Sequence, residues 1–164
     1  MARNIQLILF GTDSGLLEDL KRRSAALPYL SYEPGCGPDV VSRQGLDAVW
    51  ATPMIGAELF GATPPFPLHQ ARVLKTPEAQ LRRGMPKYGI VGVATSDEDP
   101  KAPEYNLRLV LSALLVAVHD FNAKQVDQIR RVGILPEDLD LKRMDHGVAI
   151  EIIREVYEES CAPV

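Results

Sequence analysis

Two acidic runs in this sequence could do chemistry. Asp97-Glu98-Asp99 and Glu137-Asp138-Asp140 each follow an apolar stretch. Clustered carboxylate oxygens suit a hard cation such as Mg²⁺, which would serve a metal-assisted hydrolase. Two solvated loops are the plainer expectation, because charge runs are usually exposed. Asp13 and Asp39 both stand in turns. Each could contact a ligand, and each could simply start a helix or close a turn. Asp47 stands at the start of an apolar run and is expected to pair locally. The three histidines, His69, His119 and His146, are scattered. His119 is expected to be a satisfied structural residue, and His146 to start the last helix. Ser14, Ser96 and Ser112 lack the G-x-S-x-G setting of a nucleophile elbow. Cys36 and Cys161 match no zinc spacing and read as free thiols. Walker and G-x-G-x-x-G patterns are absent, so no nucleotide of those classes and no cofactor is expected.

These residues need a scaffold to position them. The chain has 164 residues, 46% of them hydrophobic, enough for a single domain over 1–164 with its own core. The net charge of −4 is spread over interspersed acids and bases, which argues against a DNA-binding surface. No stretch approaches the ~20 apolar residues needed to cross a bilayer. The apolar run in "MARNIQLILFGTD" is too short for a signal peptide. The expectation is a cytoplasmic protein without a membrane partner.

Periodicity then gives the elements. "NIQLILFG" (4–11) reads as a first strand, followed by a helix over Ser14–Ala26 capped by Asp13 or Ser14. "YLSYEPG" is a second strand. Residues 35–44 hold a turn and one helical turn begun by Pro38. "LDAVWAT" is too apolar for a half-exposed strand and reads as a central one. It opens into the glycine-flanked stretch "PMIGAELFG", read as a loop. Residues 61–87 carry five prolines and read as the least regular part; within them "GATPPFPL" (61–68) reads either as a lid or packed connection over the strand ends or as a partner-binding strip. "KYGIVGVATS" is a fourth strand, in which Gly89 and Gly92 suggest close approach of another backbone. Glu104–Ala123 is the longest helix, apolar nearly all round and so buried on more than one side. "QIRRVGILP" is a fifth strand, and a closing helix runs from His146 to Glu159. Strands separated by long helices predict an α/β fold: a three-layer α/β/α sandwich with a mainly parallel central sheet. Ligands of such sheets sit beyond the carboxyl ends of the strands.

The order of these pieces resembles the macro domain family, the ADP-ribose-binding modules. "ILFGTDSGLLEDL", "YEPGCGPDVVSRQGLDAVWATP", "PEYNLRLVLSALLVAV" and "RRVGILPEDLDLKRMDHGVAIEIIREVYEE" carry the resemblance. It implies a cleft for ADP-ribose or a related nucleotide, lined by Asp39, Val40, Thr52, Gly56, Pro136, Glu137 and Asp138. Asp39 would meet the adenine amino group, with Val40 supplying backbone. Any hydrolytic base would be Asp13 or Asp138. Ala51 and Met54 stand where the family has asparagines, and the 137–143 loop lacks the family's glycines. Glycines let backbone N–H groups approach a pyrophosphate. Glu137, Asp138 and Asp140 would oppose one, by about 4 kcal/mol per unscreened pair at 4 Å, unless Lys142 and Arg143 turned inward. The alternative is a non-catalytic interaction or assembly module that has lost its ligand, working with a protein partner or as a homo-oligomer.

Overall fold

The computed structural model describes residues 5–35, 40–41, 44–67, 70–93 and 103–160. Expectations for Cys36, Asp39, His69, Ser96, Asp97 to Asp99 and Cys161 lie outside them.

Six strands form one sheet: β1 (Gln6–Gly11), β2 (Leu30–Pro34), β3 (Ala48–Ala51), β4 (Ala71–Lys75), β5 (Tyr88–Gly92) and β6 (Arg131–Ile134). Their spatial order is β2-β1-β6-β3-β5-β4. All neighbours are parallel except β4, which runs antiparallel to β5. Helices α1 (Ser14–Arg23), α2 (Pro53–Phe60), α3 (Glu78–Leu81), α4 (Pro103–Lys124) and α5 (His146–Ser160) complete the described elements. The architecture is the expected three-layer α/β/α sandwich.

Alternation along each strand divides the core between the two faces of the sheet. Leu7, Leu9, Trp50, Ile90, Val132 and Ile134 point to a first face, under Leu20 of α1, Leu111 and Leu114 of α4, and Ile153 of α5. Ile8, Phe10, Val49, Ala51 and Val91 point to the second, under Val40, Leu46 and Phe60. β3 is buried on both faces, which is why its sequence is apolar without alternation. In α4, Leu107, Leu111, Leu114 and Leu115 are fully buried. Each such side chain stabilises the fold by about 1.5–3 kcal/mol.

Three expectations need correction. The stretch "PMIGAELF" is a helix, not a loop. Thr52 and Pro53 start it and Gly61, at φ 69°, ends it in the left-handed region. Residues 61–87 are not irregular throughout, since they contain β4 and α3. The glycines of β5 accommodate mainly side chains. A Cβ at Gly89 would lie 2.4 Å from the Phe60 ring, and one at Gly92 would lie 2.6 Å from Trp50. At Gly92 a backbone atom is also close, Gln70 O at 3.0 Å, as expected there. Among the described residues no helix is long and apolar enough to cross a membrane.

Candidate functional site

The connections leaving β1, β5 and β6 lead to α1, α4 and α5, whose buried side chains cover the first face. The connection leaving β3 leads to α2, which presses Phe60 onto the second. β3 lies between β6 and β5, so the chain parts to opposite sides at its carboxyl end. In open α/β sheets it is beyond the strands at such a parting that ligands bind.

The turn after β6 stands on one side of this sheet end. Pro136, with φ preset for a helical turn, begins a 3₁₀ turn over Pro136–Leu139. Asp140, in the left-handed region at φ 61°, breaks it before a second turn over Leu141–Arg143. Leu139 and Leu141 are buried and pin the loop to the core. Its polar side chains therefore face outward and meet two cations. Lys142 Nζ lies 3.2 Å from Glu137 Oε1 and 3.9 Å from Asp13 Oδ2. Arg143 donates from Nε and Nη2 to the two oxygens of Asp140, each at 2.9 Å. Asn106, in the first turn of α4, donates to Asp140 Oδ2 at 2.8 Å. Its own Oδ1 is buried and, among the described residues, has no hydrogen-bond partner.

Asp138 is the exception in this loop. Among the described residues its side chain makes no hydrogen bond or ion pair, and burial pushes its carboxyl up to about 6, with the Glu137 charge adding to the effect. The repulsion expected of this loop is thus largely compensated. Lys142 and Arg143 neutralise its other carboxylates, and Asp138 holds its proton into the mildly acid range.

Thr52 stands at the carboxyl end of β3, half-buried between β3 and α2, and its side chain makes no capping bond. Because β3 pairs directly with β6, Thr52 and the Pro136 to Asp138 turn share one end of the sheet. Two of the expected cleft residues are buried. Val40 is fully enclosed in the second-face core. Gly56 is held against Val91, where a Cβ would lie 2.6 Å from Cγ1, so close helix–sheet packing accounts for this glycine. Ala51 is core, and Met54 is 81% exposed on α2. Beyond β5 a small cavity of about 210 Å³ is lined by Pro65, Phe66, Pro67, Arg72 and Val91. The proline-containing segment thus does border a strand end, with Arg72 resting 4.9 Å over the Phe66 ring.

The chain matches no protein-family model and no curated protein.

Other expectations resolve locally. Asp13 caps α1, accepting from Leu16 N at 3.1 Å. Asp47 does not pair locally: its Oδ2 accepts from the backbone of Arg130 and Arg131, 83 and 84 residues away. Contrary to the expectation of a satisfied histidine, His119 Nε2 is buried with no partner among the described residues, and burial lowers its pKa. His146 does begin α5, and its Nδ1 contacts Asp19 of α1. That contact, with Arg23 and Arg22 beside it, holds the Asp19 carboxyl far below the usual carboxylate range. Sequence reasoning missed this cluster, because its two histidine and aspartate members lie 127 residues apart. An open groove of about 980 Å³ runs along α1 and β2, bordered by Asp19, Arg22 and Tyr32. It flanks the sheet edge rather than the strand ends. Among the described residues no three His, Cys, Asp or Glu side chains gather to hold a metal ion.

Proposed function

We propose that the chain binds ADP-ribose or a related nucleotide in the crevice beyond β3, between Thr52 and the Pro136–Asp138 turn. The observation that carries this reading is the parting of the chain at β3, flanked by strands whose connections leave on the opposite face. The resemblance in element order to macro domains supports the choice of ligand. Lys142 would trade Glu137 for a ligand phosphate, and the backbone N–H groups at the start of α2, which the Thr52 side chain does not cap, would face the same anion. Isothermal titration and thermal shift with ADP-ribose test the reading. At 100-fold excess over Kd, binding raises stability by about 2.7 kcal/mol. No heat and no shift at millimolar ADP-ribose would sink it and leave an interaction module without a nucleotide.

A second reading, hydrolysis of an ADP-ribosyl or phosphoester bond, is favoured by Asp138. A carboxyl pushed up to about 6 can donate a proton near neutral pH. Asp138→Asn would then abolish turnover of the ADP-ribosyl substrate while ADP-ribose still bound. Binding without turnover by the unaltered chain would refute this second reading alone.

A further inference from the structure

β4 ends the sheet, and among the described residues nothing pairs with its outer edge. An open edge strand offers backbone donors and acceptors to another chain. Ala71 and Val73 lie on the α4 face of the sheet, and Lys75 shares that face by alternation. Arg72 and Leu74 point the other way, Leu74 against the second-face core. Two shallow hollows, of about 310 and 240 Å³, follow one another along the seam between β4 and α4. Their shared lining is Ala71, Ala117 and Asp120. Val116, 53% exposed, borders the first hollow, and half-buried Val73 and Phe121 border the second. Asp120 and Lys75 are both exposed and, among the described residues, neither forms an ion pair.

We propose that the chain forms a two-fold dimer in which two β4 strands pair antiparallel about Val73, bringing Lys75 of each copy to the partner's Asp120. The register follows from the residues. With Val73 on the axis, Ala71 stands opposite the partner's Lys75 and Arg72 opposite the partner's Leu74. No two like charges face each other, which antiparallel pairing requires. Asp120 lines the seam beside Ala71, so the incoming lysine arrives next to it. The pairing continues the six-stranded sheet into one of twelve, and the exposed seam becomes interior. A strand two-fold is self-complementary, which is what an isologous dimer needs. The β4 edge lies two strands away from the β3 crevice, so dimerisation and ligand binding can fail separately.

Analytical ultracentrifugation of the whole chain tests the assignment. The unaltered chain is expected at twice its 18.1 kDa mass. Lys75→Glu and Asp120→Lys are each expected to give the monomer, and the double variant to restore the dimer. A monomeric unaltered chain overturns the proposal, and Lys75 then only guards the edge. A dimer that survives either single reversal, or a double variant that stays monomeric, overturns it equally.

Discussion

Lys142 Nζ sits 3.2 Å from Glu137 and 3.9 Å from Asp13, and so ties the turn after β6 to the turn after β1. These turns follow adjacent parallel strands and lie at the carboxyl end of the sheet. Lys142 is about half-exposed, so the link adds little to stability and remains free to exchange partners.

Lys142→Met should therefore separate stability from binding. Its effect on unfolding free energy is expected to stay within about 1 kcal/mol, the range of exposed pairs. Its effect on ADP-ribose affinity is expected to reach about tenfold, or ~1.4 kcal/mol. Denaturant melts and titration calorimetry read the two quantities. A full loss of stability with unchanged affinity would contradict the role given to this side chain.

Asp138 makes a pH-dependent contribution whose sign is fixed by its raised pKa. The fold favours the protonated form. Its contribution is complete below the unfolded pKa near 4 and is lost as pH rises through about 6. Above that, folding holds an ionised carboxylate in a partly desolvated place. Asp138→Asn is thus expected to be more stable than the unaltered chain at pH 8, on the order of 2 kcal/mol. The difference should close by pH 4. Thermal melts across that range would show a constant gap if the Asp138 environment were ordinary.

Gly89 is required by the Phe60 ring, which occupies the place a Cβ would take. Gly89→Ala should cost about 1–3 kcal/mol through overpacking. Adding Phe60→Leu should recover part of that loss, since the smaller side chain vacates the contested volume. Additive costs in the double variant would mean that the two positions do not compete.

How far the sequence could be read depended on whether each signal was local. β1, β3 and α4 declare themselves through apolar runs of the right length, because burial acts directly on composition. α2 carried its own signals, Pro53 at the start and Gly61 at the end, but its short span and low amphipathicity hid it between two glycines. β4 was hidden for a different reason. Ala71 and Val73 meet one layer of the core and Leu74 the other, so no polar alternation marks it. At the site, the sequence pointed to the turn after β6, where Asp138 stands apart. It did not show that the Val40 side chain is buried in the core and that Gly56 packs against Val91. Nor did it show that Asn106 reaches Asp140 across 34 residues, because only tertiary folding brings such groups together.

β6 lies between β1 and β3, and those two strands do not pair with each other. The residues that join the two halves of the sheet, 131–134, follow both halves in the chain. A polypeptide emerging from its amino end can lay β2 on β1, and β4 and β5 on β3, while the middle of the sheet stays vacant. Closing it requires contacts more than 80 residues apart, of which the Asp47 bonds to Arg130 and Arg131 are the clearest. Long-range closure of this kind slows folding and leaves two inner strand edges unpaired meanwhile. Folding of this protein should therefore be all-or-none around its last strand, with any product ending before residue 131 prone to aggregate rather than half-folded and benign.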